Sequence, residues 1–409
     1  MTKQQHIAII GAGPGGLSLA RLLQKGDDHQ QYSVKVYERD INNSVRISGG
    51  SLDLHVDSGQ IFIDKAGLRE EYDAVARTEG GFYTLYTQDL DKVWEKSVPE
   101  HPELDRNDLR TLLVNSLLPD TVIWDRHMIK IEPHGRGYHM YFKGDDQPVY
   151  CDAIIGADGA SSKVRAFISP SMAKPTYSGV TLIQGEMLDP VNQCPELLAK
   201  VNKGSLWGFG SRGRSLGLQQ KGDGTLIYFA SFKADDEEWF TKTYGIDTGD
   251  NESFRAALLS IYEDYDALFL DLIKKTDLFA IRRCHGLMYR STLNERWIPK
   301  DTDDDRPAIT LIGDSAHVIP SFAGMGVNNA MLDTIELSEE LFKEHQDIRA
   351  AFTAYEKRMM DRCIPAAEFT AKMEDIFHCE DNIREITKVF NSFGNGVKFT
   401  DKWKHLAEN

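Results

Sequence analysis

The chain has 409 residues, 41% of them hydrophobic and 27% charged, and a formal net charge of −16. That length can bury a large core and hold two domains, and the composition is that of an ordinary globular protein. The acidic balance disfavours nucleic acid and anionic membrane as partners, no apolar run reaches the roughly 20 residues of a membrane span, and five scattered cysteines (Cys151, Cys194, Cys284, Cys363, Cys379) fit reduced thiols in a cytoplasmic protein rather than a disulfide framework or a zinc site.

Ile7-Ala8-Ile9-Ile10 reads as a short buried strand. It runs into Gly11-Ala12-Gly13-Pro14-Gly15-Gly16 and then a helix from Leu17 to Leu23. The apolar N-terminus leads straight into this unit, so it reads as fold rather than as a targeting segment. Strand, G-x-G-x-x-G and helix in that order are the context the dinucleotide fingerprint requires. Gly11 allows a tight turn, Gly13 lets backbone approach a pyrophosphate, and Gly16 lets the helix pack close to the sheet. The first helical turn offers free N–H groups and the positive end of its dipole to phosphate. An acid is expected roughly 20 residues on, at the end of the next strand. Tyr32 to Glu38 supplies that strand, and Glu38 would accept hydrogen bonds from the adenosine ribose hydroxyls. Without Glu38 the pattern would be only a glycine-rich helix cap.

Arg46-Ile47-Ser48-Gly49-Gly50 is either an ordinary turn or a place where Arg46 reaches the cofactor while the glycines bring backbone close to it. Ser58 to Tyr72 has helical spacing. Phe82 to Leu90 alternates and reads as strands of a second sheet. Asp105 to Arg110 opens a helix to Leu118, capped by Asp105 or Asn107. Arg110, one turn inside, is either a solvated arginine or one that points at the cofactor. Thr121 to Trp124 is a strand, and Met128 to Glu132, Gly137 to Phe142 and Pro148 to Tyr150 form a hairpin region.

Cys151 to Arg165 repeats the strand–turn–helix theme, with the turn at Gly159 and the helix from near Ser161. Asp158, at the strand end, either caps the turn or serves a ribose or an anion-linked group. Residues 175 to 285 change character to alternating strands with polar turns, followed by a helix from Ser253 to Ile273. Pro307 to Asp314 is another buried strand, and it ends in Gly313-Asp314. After Pro320, the stretch Ser321 to Ala330 starts a long helix through Leu341. Gly324 and Gly326 free the backbone, and Asn328 and Asn329 stand at the helix start, which suits negative charge. Phe322 and Met325 either wall a pocket or pack the core. His317 reads as structural, with proton transfer as the other possibility. Asp347 to Arg362, Ile364 to Phe377 and a tail from about 382 read as helices.

Three stretches together resemble the flavin-dependent aromatic hydroxylases of the para-hydroxybenzoate hydroxylase type. They are the glycines Gly11/Gly13/Gly16, then Asp158-Gly159-Ala160-Ser161-Ser162-Lys163-Val164-Arg165 as D-G-x-x-S-x-x-R, then Gly313-Asp314-Ser315-Ala316-His317-Val318-Ile319-Pro320 as G-D-A-x-H-x-x-P with Ser315 in place of Ala. Within that family Tyr37 to Asp40, Gly49 to His55, Arg106 to Arg110, Val122 to Arg126 and Pro320 to Asn328 are similar to stretches of the tetracycline-inactivating monooxygenases.

The resemblance implies an α/β fold. A Rossmann-like FAD-binding domain (1–174, with small sheet segments around 80–90, returning at 286–345) would carry a mixed-sheet substrate domain (175–285) and a C-terminal helical segment (346–409). It implies FAD as cofactor, with Glu38 on the adenosine ribose, Arg110 on the cofactor, Asp314 on the ribityl and pyrophosphate side, and Pro320 with Gly324, Gly326, Val327 and Asn328 flanking the isoalloxazine. Arg46 would lie at the flavin edge, and Pro14, Arg39, Asp53 and Asp158 complete the cofactor set. Gln184 would face substrate, beside Phe322 and Met325. Two substrate positions depart from the pattern. Leu206-Trp207-Gly208-Phe209 lacks an expected arginine, for which Arg212 or Arg214 could stand, and Ile227 or Tyr228 stands where a histidine is expected.

The implied activity is a single-component monooxygenase. NADPH or NADH reduces FAD, O₂ follows, and one oxygen atom reaches an electron-rich ring or enol carbon of an aromatic or polycyclic substrate such as tetracycline. No protein nucleophile or metal is expected, and the enzyme would act as a monomer. The competing expectations are a hydroxylase or epoxidase of another aromatic metabolite, a flavin-dependent alkene reductase, and a non-catalytic flavoprotein.

Overall fold

The computed structural model describes residues 4–26, 31–45, 49–297 and 306–392. Its first layer is a five-stranded parallel sheet, in the order Ala308–Leu311, Ala153–Gly156, Gln5–Ile10, Tyr32–Tyr37, Val122–Ile123. Ile7, Ala8, Ile9 and Ile10 are all buried, as a central parallel strand covered on both faces requires. The helix Pro14–Gly26 lies against the helix Gly326–Phe342 on one side of this sheet. A three-stranded antiparallel sheet, Met128–His134, Gly137–Phe142 and Val149–Cys151, matches the expected hairpin region.

The second layer is a seven-stranded mixed sheet. Its order is Leu278–Gly286, Thr176–Met187, Leu226–Lys233, Arg214–Gln220, Ser205–Gly210, Phe82–Thr87, Lys92–Ser97. The segment around 80–90, expected as a small insert in the first unit, is therefore part of this large sheet. Phe82–Thr87 runs parallel to Ser205–Gly210, with Leu85 opposite Trp207. Such a parallel pair needs a crossover connection, and the intervening residues 98–175 belong to the first layer.

Strand alternation divides this sheet into two faces. Ile183, Leu206, Leu216, Leu218 and Tyr228 pack beneath the helices Pro195–Val201, Asn251–Ile261 and Ala267–Lys275 in one apolar cluster. The opposite face carries Leu182, Gln184, Phe229, Gly217 and Trp207 in register. It turns toward the first layer at one end and toward the C-terminal helices at the other, where Leu182, Leu85 and Phe209 pack with Phe369, Met373 and Phe377.

Three helical expectations change. Ser58 to Tyr72 is two helices, Gly59–Ala66 and Arg69–Asp73, because Gly67 ends the first in a left-handed cap at φ +68°. Ser253 to Ile273 is not one helix, because Asp266 caps a new start by accepting the Leu268 N–H at 2.8 Å. Conversely, Ile348–Phe377 is one continuous helix despite Pro365. Proline inside a helix costs about 3 kcal/mol, and burial of Cys363, Ala366, Ala367 and Phe369 around it offsets that cost. A last helix, Asn382–Ser392, buries Ile386 and Val389 against the same end of the sheet. No helix among the described residues is long and apolar enough to cross a membrane.

Candidate cofactor and substrate site

The three fingerprint glycines differ in what surrounds them. Gly11 has φ +109°, and a Cβ there would lie 2.3 Å from the Ala157 carbonyl oxygen. A Cβ on Gly16 would lie 2.1 Å from the Gly11 oxygen. A Cβ on Gly13 would meet nothing within 4 Å among the described residues. Two glycines are thus required by the chain itself, and the third borders open space. Pro14 opens the helix, where its missing N–H costs nothing.

Glu38 is buried and ties the two strand ends together. Its Oε2 accepts the Ala12 N–H at 2.6 Å and its Oε1 the Asp40 N–H at 2.9 Å. Each carboxylate oxygen keeps a further lone pair for a hydroxyl. Arg39 is exposed. Arg46 lies outside the described residues. Arg110 is buried, 2.9 Å from Asp40, with its guanidinium over the Trp124 ring at 5.1 Å. Its Nε has no hydrogen-bond partner among the described residues. A buried guanidinium N–H without an acceptor is costly, so this atom marks a place for one.

The other two motifs close on the first. A Cβ on Gly15 would lie 3.6 Å from the side chain of Ile312, at the end of the third motif strand. Asp158 caps the following helix: it accepts the Lys163 N–H at 2.7 Å and the Ser162 hydroxyl at 2.5 Å. Of its two readings, the side chain takes the capping one. Ser315, the departure from the family's alanine, is fully buried and joins motif to motif. Its hydroxyl accepts the Gly159 N–H at 2.7 Å and donates to Asp158 at 3.1 Å. Arg165, with no exposed surface, donates to the carbonyls of Ala160, Met172, Ala173 and Ser315.

Asp314 follows Gly313, whose φ is +58°. Its side chain is open to solvent, yet it is enclosed deeply enough that burial raises its pKa against the pull of His317, Arg106 and Arg165. An acid that is both reachable and enclosed stands in a cleft. Behind it, Asp333 accepts the Gly313 N–H at 2.7 Å, pairs with His317 Nε2 at 2.7 Å and takes Arg362 at 2.6 Å. Burial works against a charge on His317, but Asp333 outweighs it and holds its pKa well above the ordinary value. His317 is thus an internal ion-pair residue, the structural one of its two readings.

Around the expected flavin loop, Pro320 is buried, Gly324 has φ +66°, and a Cβ on Gly326 would meet nothing within 4 Å. Val327 packs partly against the core. The Asn328 side chain does not point at open space. Its Oδ1 accepts the N–H groups of His55 (2.9 Å) and Gly59 (3.1 Å) and the Ser58 hydroxyl, and its Nδ2 donates to the Asp53 carbonyl. It therefore clamps the 53–59 loop against the helix start, and only its backbone remains for a ligand. The Asp53 carboxylate is 2.8 Å from His55 Nε2. Burial opposes its charge, but His55 and then His101 prevail and hold it below the usual range.

The cleft face of the large sheet meets this ensemble. Gly50 sits over it: a Cβ there would lie 2.5 Å from Gln219 Oε1 and 3.6 Å from the Phe229 ring. The Gly50 carbonyl accepts Arg106 Nε at 3.0 Å. Arg106 is half-buried; burial lowers its pKa, Asp314 opposes that effect and Arg282 adds to it. Gln184, expected to face substrate, is on this face, and its Oε1 accepts Arg282 Nε at 3.0 Å. Phe322 and Met325 are mainly packing residues; the Phe322 ring lies against Phe377 and His378.

Arg212 and Arg214 do not serve this face. Arg214 is buried beside Tyr262 and Tyr265 on the helix-covered side and pairs with Asp264 at 2.7 Å. Arg212 is exposed and pairs with the same acid at 3.2 Å. Tyr228 is also turned away, with its hydroxyl on Thr276. Arg106, Trp207, Phe229 and Arg282 were not singled out in the sequence; of these, only the alternation of the strands carried a signal. A separate groove of about 530 Å³, lined by residues such as Arg290, Lys372, Asp375 and Cys379, shares no residue with the cleft.

An FAD-sized dinucleotide fits these features: open backbone at Gly13, Gly324 and Gly326, an unsatisfied buried N–H on Arg110, an acid at Glu38 and a cleft acid at Asp314. Comparison with known proteins agrees. Residues 4–189 match the family model described as an FAD binding domain. Monooxygenase asqM of Emericella nidulans is 27% identical over 89% of this chain and 93% of its own. The structure of HpxO from Klebsiella pneumoniae, complexed with FAD and uric acid, aligns with a TM-score of 0.73 at 18% identity, over 95% of this chain and 92% of that one. The tetracycline destructase Tet(51) aligns with a TM-score of 0.70 at 16% identity, over 100% and 98%. The structural likenesses, at these identities, are likenesses of fold.

Proposed function

We propose that this chain, a flavoprotein monooxygenase by its relatives and its FAD-binding segment, takes NADPH or NADH and O₂ and oxygenates a planar aromatic or polycyclic substrate. When bound, FAD supplies the redox and oxygen chemistry; the protein supplies binding, orientation and exclusion of water. Gly13 and the helix start at Pro14 receive the pyrophosphate, Glu38 the ribose, and Arg110 and Asp314 the remaining polar chain. The backbone from Gly324 to Asn328 presents N–H groups to the ring edge, on the positive end of a long helix. Phe229 and Trp207 form the apolar wall opposite. Arg39 and Asp158 take no direct part through their side chains. The protein works as a cytoplasmic monomer.

The observation that carries this reading is the convergence of three distant motifs on one cleft whose bordering glycines are open only where a ligand would lie. Tetracycline is the named candidate substrate, supported by the short similar stretches from Tyr37 to Asn328. Hydroxylation or epoxidation of another aromatic metabolite is the second reading, favoured because Arg212 and Arg214, the arginines that could have held the polar edge of tetracycline, pair with Asp264 instead. The test is NADPH oxidation by the FAD-loaded protein, followed with O₂ uptake and product mass, with and without tetracycline. Oxygen-dependent turnover that adds one oxygen atom to tetracycline supports the narrow reading. Turnover with another aromatic only rejects tetracycline and keeps the broad one. Oxygen-independent turnover with an alkene would replace the monooxygenase reading with a reductase.

A further inference from the structure

A seam of polar contacts joins the cofactor side to the large sheet. On one side is a two-stranded antiparallel ribbon in which Leu52 faces Leu104 and Asp53 faces Glu103. On the other is the end of the strand Arg214–Gln220 with the turn that follows it. One side chain of the sheet reaches both strands of the ribbon. Gln219 Oε1 accepts the Ser51 N–H at 2.8 Å, and its Nε2 donates to Glu103 Oε2 at 2.8 Å. The Ser51 N–H requires an oxygen, so the amide has one orientation. Farther along the seam, Arg77 Nη1 donates to the Gln220 carbonyl at 3.3 Å and the Gly222 N–H to Asp105 at 3.0 Å, while Arg77 and Asp105 pair with each other at 3.0 Å.

The residues that lead into the ribbon are held from the first layer as well. The Gly50 carbonyl accepts Arg106 Nε at 3.0 Å, and a Cβ on Gly49, whose φ is +131°, would lie 3.0 Å from that nitrogen. A Cβ on Gly50 would lie 2.5 Å from Gln219 Oε1. The loop Gly49–Ser51 is thus pinched between an arginine of one layer and a glutamine of the other, and the two glycines let both approach. Two residues on, Asp53 meets the expected flavin loop. Its carbonyl accepts Asn328 Nδ2 at 2.9 Å, and a Cβ on Gly324 would lie 3.9 Å from its Oδ1. The segment 49–53 therefore runs from the large sheet to the loop Gly324–Asn328.

We propose that Gln219 is a positioning residue for the cofactor: it docks the loop Gly49–Ser51 on the large sheet, and the docked loop closes the ring end of the cleft against water. The inference rests on FAD occupying the cleft and not on which substrate is oxidised there. An amide suits the place because it accepts and donates at once. Its oxygen serves the loop, and its nitrogen serves a carboxyl group that is buried beside Asp53. Exclusion of water is the protein's share of flavin oxygen chemistry, so a residue of the large sheet would take part in it without touching the cofactor.

The test is amide hydrogen exchange of the FAD-loaded protein, read by mass spectrometry over peptides spanning Gly50 to Leu54, beside iodide quenching of the bound flavin's fluorescence. Gln219→Leu should speed exchange at Ser51 by about 3- to 10-fold, the scale of one lost hydrogen bond. It should also raise quenching by iodide and leave exchange in the strands Thr176–Met187 and Leu226–Lys233 unchanged. Gln219→Glu keeps an acceptor for Ser51 but sets two carboxyl groups against each other, so it should loosen the loop too. Adding Glu103→Gln to that variant restores a donor and an acceptor with the partners exchanged, and both readouts should return toward the parent. Parental exchange at Ser51 in Gln219→Leu overturns the proposal. So does faster exchange with unchanged iodide access, which would leave the ring end closed without Gln219. Acceleration spread over the whole large sheet overturns it as well, by making Gln219 a residue of the sheet's stability alone. A double variant no closer to the parent than Gln219→Glu overturns the pairing with Glu103. None of these readouts consumes NADPH or O₂, so the monooxygenase reading stands or falls separately.

Discussion

Gly13→Ala separates what the fold needs from what the ligand needs. A Cβ on Gly13 meets no heavy atom within 4 Å, and Gly13 is absent from the residues with positive φ. It precedes Pro14, so its backbone is confined to the extended region that alanine also accepts. The chain without cofactor should therefore be unchanged, or stabilised by about 0.4–1 kcal/mol through a less flexible unfolded state. The methyl would stand where phosphate must approach the backbone, and overpacking of a tight contact costs about 1–3 kcal/mol. FAD affinity should fall by roughly 5- to 150-fold at 1.4 kcal/mol per decade. Gly16→Ala is the contrast: its Cβ would lie 2.1 Å from the Gly11 oxygen, so it should lower the melting temperature of the cofactor-free chain as well. The assay is thermal unfolding of both apo variants beside FAD titration by flavin fluorescence. A Gly13→Ala protein that binds FAD as tightly as the parent would refute the placement of the pyrophosphate.

Asp333→Ala should destabilise the chain by about 3–5 kcal/mol in urea unfolding, because it leaves His317 and Arg362 buried without their shared partner. A loss below 1 kcal/mol would contradict the buried network. Glu103 is buried beside Asp53, and burial pushes its carboxyl from 4.5 up to about 8. The folded state then holds a proton that the unfolded state releases above pH 4.5, so this group makes stability fall as pH rises from about 4.5 to 8 and has no further effect above that. Glu103→Gln should flatten that decline in melting-temperature scans from pH 5 to 9; an identical pH profile would argue against a protonated Glu103. Arg212→Ala should leave substrate affinity within 2-fold of the parent, since this side chain is exposed and pairs with Asp264; a 10-fold loss would return it to the substrate site.

The parts of the site legible in the sequence are those made by neighbours in the chain. Gly11 and Gly16 stand in the tight turn and the close helix–sheet contact their spacing gave them, because a strand–turn–helix unit is shaped locally. The buried strand before Gly313 and the helix start at Gly326 were legible for the same reason. Side chains whose partners come from afar were not. Asn328 looks like a free donor at a helix start until the 53–59 loop packs on it. Asp158 is claimed by Ser162 and by Ser315, a residue 157 positions away. Phe82–Thr87 reads as a strand, but its parallel partner lies at 205–210 and nothing local names it. Arg282 emerged only from strand register, which puts Leu182, Gln184 and Phe229 on its face and turns Arg214 and Tyr228 to the other.

The most direct test of the central claim is the absorption spectrum of the protein after incubation with FAD and gel filtration, recorded for the parent and for Asp314→Ala. The three motifs predict flavin bands at stoichiometric occupancy in the parent and their loss in the variant, with both proteins folded by circular dichroism. A folded parent that emerges colourless, or a variant that retains stoichiometric flavin, would contradict the cofactor cleft described above.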